Sequence, residues 1–124
     1  MNENKDNLIV KKSYSFALEI ILVYKHLVNE KKEYVISKQL LRCGTSIGAN
    51  VHVAISGESK KDFIHKLGIS VKEARETSYW LNLLKDSSYI DLAKYTLLIG
   101  LCNEIIRILN SIILTTKERY SKSE

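Results

Sequence analysis

Apolar and polar residues alternate along the chain with a period that divides it into four helical stretches. Over residues 7–30, Val10, Tyr14, Ala17, Ile21, Tyr24 and Val28 recur at intervals of four and three, which gathers them on one helix face. Phe16, Ile20, Val23 and Leu27 form a second seam beside the first, so the apolar surface is wider than one neighbouring helix covers. After the short polar link Lys31-Lys32-Glu33, Ser37 is expected to cap a second helix over residues 37–56. Gly57 ends that helix, and Ser59-Lys60-Lys61-Asp62 opens a third over residues 59–85, a capping-box pattern with Asp in place of Glu or Gln.

The seam of the third helix is Phe63 or Ile64, Leu67, Val71, Ala74, Ser78 and Leu81, extended by Trp80 and Leu84. Its other side carries Lys72, Glu73, Arg75 and Glu76, where Lys72 and Glu76 are spaced to pair. Ser88 or Asp91 can cap a fourth helix over residues 88–119, with Tyr95, Leu98, Cys102, Ile105, Leu109 and Ile112 as its main seam. Leu97, Leu101 and Ile108 make a second seam there, and Ile99, Ile106 and Ile113 a third. The tail over residues 120–124 is expected to fray.

The absence of Pro and the presence of only five Gly among 124 residues leave such helices unbroken. The expected fold is therefore all-α: one domain over residues 1–124, an up-down-up-down antiparallel four-helix bundle. The first and fourth helices carry more apolar surface than such a bundle hides, which predicts a homo-oligomer. The run over residues 95–114 is long enough to raise the question of a membrane span. Asn103, Glu104, Arg107 and Asn110 interrupt it, and a charge at a bilayer centre costs about 2.5 kcal/mol or more, so a buried helix is expected and no membrane. The opening MNENKDN lacks the basic and apolar regions of a secretory signal, from which a cytoplasmic location is expected. Cys43 and Cys102 stand far apart with no Cys-x-x-Cys spacing, and are read as reduced, buried thiols.

Residues 37–56 hold the least ordinary helix. Its only formal charges are Lys38 and Arg42, and Gly44 and Gly48 lie one turn apart where a helix former is expected. Each glycine costs up to about 1 kcal/mol of helix propensity, which close approach of another helix would offset. A phosphate loop is the sharper reading of Cys43-Gly44-Thr45-Ser46-Ile47-Gly48, but neither the Gly-Lys-Ser/Thr ending nor a preceding strand is there. Asn50 stands one turn from Ser46 and is expected to fix helix register, so Gly44, Ser46, Gly48 and Asn50 form a packing motif. Ser46, His52 and Asp62 could be imagined as a triad, but no nucleophile elbow supports one. Asp62, Glu73, Glu76, His52 and His65 lack metal-ligand spacing. No catalytic residue, metal or cofactor is expected.

One stretch resembles a known family. Arg42-Cys43-Gly44-Thr45-Ser46-Ile47-Gly48-Ala49-Asn50-Val51, Ser59-Lys60-Lys61-Asp62-Phe63, and Lys72-Glu73-Ala74-Arg75-Glu76-Thr77 with Tyr79-Trp80-Leu81 resemble the four-helix bundle proteins encoded in intervening sequences of bacterial 23S rRNA genes. The resemblance implies a pentameric bundle protein. Such proteins are similar to the accessory protein of diversity-generating retroelements, which binds nucleic acid beside a reverse transcriptase, so RNA, DNA and a reverse transcriptase are the partners it implies. Val53 departs from the pattern, since the family commonly has Glu before the alanine matching Ala54.

The charge balance, 19 basic against 14 acidic residues for a net +5, favours polyanions without requiring them. The leading expectation is a non-catalytic homo-oligomer that binds or scaffolds nucleic acid, RNA preferred, through Lys38, Arg42, Lys60, Lys61, Lys66, Lys72 and Arg75. The alternative is a protein-interaction module with no nucleic acid ligand.

Overall fold

The computed structural model describes residues 3–57 and 59–123. It is built from four α-helices: α1 (Glu3–Asn29), α2 (Ile36–Ile55), α3 (Lys60–Asp86) and α4 (Leu92–Ser123). Each helix packs on two others, α1 on α2 and α4, and α3 on α2 and α4, so that α1 and α3 lie on one diagonal. Neighbours run antiparallel. Lys5 reaches Ser111, Lys12 reaches Glu104 and Lys94 reaches Glu19, so numbering rises along α1 as it falls along α4. The architecture is the all-α four-helix bundle that the apolar spacing predicts.

The core is a continuous column of aliphatic side chains with Phe16 and Phe63. In α4 the main seam is buried from Leu98 onward, with Leu98, Cys102, Ile105, Leu109 and Ile112 all inside, while Tyr95 at its start is half-buried. Ile99, Ile106 and Ile113 are half-buried and pack against the core, whereas Leu92, Leu97 and Leu114 remain exposed on α4. By length and hydropathy α4 could cross a membrane, but here its main seam faces α1 and α3.

In α1 the second of the two seams is the buried one. Phe16, Ile20, Val23 and Leu27, joined by Ile9, are the buried ones. Val10 and Tyr14 from the wider seam are exposed, and Ala17, Ile21, Tyr24 and Val28 are half-buried. Leu8, Val10, Tyr14, Leu18 and Leu22 leave an apolar outer face on α1, each 36–66% exposed.

The helix ends correct several expectations. Ser37 does not cap α2; it is buried inside the first turn, and its hydroxyl donates to the Glu33 carbonyl at 2.8 Å. The cap is the Glu33 carboxylate, which accepts from the backbone N–H of Val35, Ile36 and Ser37 at 3.1, 2.7 and 2.8 Å. One carboxylate thus satisfies three donors that the first turn leaves orphaned, and its charge suits the positive end of the helix. Burial works to raise the Glu33 pKa, but these bonds prevail and hold it below the usual carboxylate value. Lys32 and Ser88 take left-handed backbone angles, with φ of 55° and 66°, in the α1–α2 and α3–α4 turns. Ser88 therefore lies in the turn, and α4 starts later than expected, where Asp91 accepts from the Lys94 N–H at 2.8 Å. At its other end α4 continues to Ser123, where Tyr120 sits by Lys61 and Ile64 of α3; Glu124 lies outside the described residues.

α2 meets α1 through its glycines. A Cβ at Gly44 would lie 2.8 Å from Cγ1 and 2.9 Å from Cγ2 of the fully buried Ile20. One at Gly48 would lie 3.2 Å from the Ser13 backbone oxygen. Both positions admit α1 more closely than a side chain would allow. Ser46 and Asn50 act differently. The Ser46 hydroxyl donates to the Arg42 carbonyl and the Asn50 amide to the Ser46 carbonyl, both within α2.

Candidate nucleic-acid interface

α3 buries Phe63, Leu67, Ser70, Ala74, Thr77, Leu81 and Leu84. The opposite face is fixed by the same periodicity: Lys61, His65, Gly68, Lys72, Arg75 and Tyr79 recur at four and three and are all exposed. This ridge runs for about 27 Å at 1.5 Å per residue. It contains no carboxylate. Lys61, Lys72 and Arg75 form no ion pair with any described residue. The ridge is thus a line of free positive charge, made straight by the helix that carries it. Gly68 lies at its centre, and a Cβ there would meet nothing within 4 Å. Nothing inside the chain requires that glycine, and the ridge is flat where it stands.

Lys60 and Lys61 directly follow the Ser59 cap, whose hydroxyl accepts from the Asp62 N–H at 3.0 Å. Lys38 is exposed on α2 at the other end of the bundle, since α2 and α3 run in opposite directions. Lys66 is half-buried and off the ridge. The seven candidate cations are therefore not one cluster: the structure aligns Lys61, Lys72 and Arg75 and separates the rest.

Arg42 is engaged. Its Nη1 donates to Glu73 Oε2 at 3.2 Å, its Nη2 to Glu76 Oε2, and its Nε to Gln39 Oε1 at 3.2 Å. Partial burial opposes its charge, but Glu76 and then Glu73 outweigh it and raise the Arg42 pKa above its ordinary value. Arg42 is a permanent cation that bridges α2 to α3. The Lys72–Glu76 pair expected from spacing does not form, because Glu76 turns to Arg42 and also accepts from Trp80 Nε1 at 3.0 Å. Trp80 in turn meets Tyr79 edge to face, with ring centroids 5.0 Å apart and planes at 73°.

Reactive groups are sparse. Among the described residues no group of three or more His, Cys, Asp or Glu could hold a metal ion. No hydrogen bond joins Ser46, His52 and Asp62; the Ser46 hydroxyl is spent on its own helix, and His52 lines the groove between α1 and α2. That groove, about 390 Å³, is otherwise lined chiefly by apolar side chains, Val10, Tyr14, Ala17, Ala49 and Val53 among them. Cys43 and Cys102 are free, buried thiols. Burial pushes Cys43 up to about 11, so it carries no thiolate at neutral pH. The Cys102 thiol, raised by burial, donates to the Ala74 carbonyl at 3.2 Å.

The ridge was open to sequence reasoning, since Lys61, His65, Lys72, Arg75 and Tyr79 already repeat at helical spacing. Charge alone does not bring it out, because Gly68 and Tyr79 are neither lysine nor arginine and stand between or beyond the basic positions.

Comparison with solved structures finds a crystal structure of a protein of unknown function from the S23 ribosomal protein family of Bacteroides thetaiotaomicron VPI-5482. It is 51% identical, covers 88% of this chain and 97% of its own, and superposes with a TM-score of 0.87. Comparison with curated proteins yields no match. The family model described as 23S rRNA-intervening sequence protein matches residues 5–111, which take in most of α1, all of α2 and α3 with the whole of the α3 ridge, and α4 as far as Ser111. On that match and that likeness, the chain belongs to the 23S rRNA-intervening sequence protein family.

Proposed function

We propose that this protein is a non-catalytic, homo-oligomeric nucleic acid binding protein that prefers RNA. The observation that carries the reading is the outer ridge of α3, where Lys61, Lys72 and Arg75 stand in line, exposed and without carboxylate partners. Cations left unpaired along a straight edge suit a polyanion, because each phosphate they neutralise releases a condensed counterion. Oligomerisation strengthens the effect. Five copies of a +5 chain, the pentamer that the family resemblance implies, gather roughly +25 on one particle. The exposed apolar residues on the outer face of α1 support self-association, since Tyr14, Leu18 and Leu22 stand outward one turn apart.

The test is binding of the purified protein to a labelled structured RNA across a salt series, with particle mass measured in the same buffer. Binding is expected to weaken log-linearly as salt rises. The triple variant Lys61→Glu, Lys72→Glu, Arg75→Glu is expected to bind about tenfold or more weakly and with a shallower salt slope. A well-formed oligomer that binds no RNA at low salt refutes the reading and leaves the protein-interaction module in its place.

A further inference from the structure

From the contacts around Tyr79 we infer that the α3 ridge ends in a stacking platform for an unpaired nucleobase, so that the ligand class is single-stranded rather than duplex nucleic acid. The inference rests on the nucleic acid reading above and adds to it the part of the ligand that phosphates alone do not define. Tyr79 is 57% exposed, although it is a large aromatic residue on a regular helix. Trp80 covers at most one face of its ring, since the two rings meet edge to face. Tyr79 lies one turn beyond Arg75 and two beyond Lys72 on the same face. A nucleotide whose phosphate meets Arg75 would therefore bring its base to the tyrosine ring.

The platform is braced from behind. Trp80 Nε1 donates to Glu76 at 3.0 Å, and Glu76 accepts in turn from Arg42, which also holds Glu73. A chain of contacts thus runs from α2 through Arg42, Glu76 and Trp80 to Tyr79, limiting how far the ring can wander before a ligand arrives. Preorganised aromatic rings lose little freedom on binding, and stacking accepts any base because every base has a π-face. In a duplex the base faces are already covered by their neighbours, so Tyr79 has nothing to stack on except a strand end. Glu76 and Trp80 are positioning residues here, and Tyr79 is the one that touches the ligand.

The experiment compares wild type, Tyr79→Ala and Tyr79→Phe on one short single-stranded RNA, the same strand with abasic sites, and the same strand annealed as a duplex. Tyr79→Ala is expected to weaken single-strand binding by about fivefold or more, to leave duplex binding within about twofold, and Tyr79→Phe to bind as wild type does. Trp80 is the only tryptophan, so its emission should change with the intact strand and not with the abasic one. Glu76→Ala should lose part of the single-strand affinity and Glu76→Gln regain it, which separates positioning from charge. Equal binding of intact and abasic strands, or no effect of Tyr79→Ala, overturns the platform while leaving the basic ridge standing. A change in particle mass on Tyr79→Ala overturns it too, by placing the ring between subunits. If wild type binds neither strand nor duplex, both readings fall together.

Discussion

Glu33 shows how much one residue can decide. It sits in the α1–α2 turn after the left-handed Lys32 and serves three backbone donors of α2. Its folded pKa lies below the usual value, so its stabilisation is present above the unfolded carboxylate pKa and is lost as pH falls through the folded one. Glu33→Ala is expected to cost about 1–2 kcal/mol at pH 7, the upper range for losing an N-cap. Urea unfolding at pH 7 and pH 3 checks it: the gap between wild type and variant should narrow in acid, and an equal gap at both refutes the account. The sequence pointed to Ser37 because serine is a favoured cap. Glu33 was missed because its role needs a carboxylate folded back over the next turn, which depends on the local backbone and not on residue type.

At the scale of the helix, the same residue type has opposite meanings. Gly44 faces the buried Ile20, whereas Gly100 of α4 has nothing within 4 Å of where a Cβ would stand. Gly44→Ala is expected to destabilise by about 1–3 kcal/mol, because the branched carbons of Ile20 have no room to yield. Gly100→Ala is expected to stabilise by about 0.5–1 kcal/mol through helix propensity alone. Thermal unfolding of the two variants should shift in opposite directions, and shifts of the same sign would sink the close-packing account. The α1 seams make a similar point about legibility. Val10, Tyr14, Ala17 and Ile21 have the same spacing as Phe16, Ile20 and Val23, so periodicity alone could not rank them; the packing of α2 and α4 against α1 did. In α4, by contrast, the seam through Leu98 and Leu109 was readable outright, because Asn103, Arg107 and Asn110 mark the opposite face.

At the scale of the molecule, the bundle leaves apolar surface outward on α1 and, through Leu92, Leu97 and Leu114, on α4. Tyr14 and Leu18 stand outward, 66% and 49% exposed, and the groove beside Tyr14 continues that surface toward α2. Replacing both with Glu is expected to lower the particle mass to that of a monomer without unfolding it, since neither side chain supports the core. Light scattering with a circular dichroism control checks this, and a wild type that is already a monomer, or an unchanged mass in the variant, refutes the α1 contact proposed above. Composition could announce the surplus but not its address, because the partial cover of Ile99, Ile106 and Ile113 against the core is a property of the assembled bundle.

The pairing of α1 with α4 carries one more consequence. These helices are separated by nearly the whole chain and share the least extensive of the four helix contacts, held by links such as Lys5–Ser111 and Lys12–Glu104. No turn tethers one to the other. Splaying α1 away from α4 is therefore the least costly excursion from the native state, while α2 and α3 remain joined as a hairpin. A chain caught in that excursion bares the side of α4 that α1 covered while α1 keeps its packing on α2, so the amides of α1 and α4 are expected to exchange with solvent before those of α2 and α3.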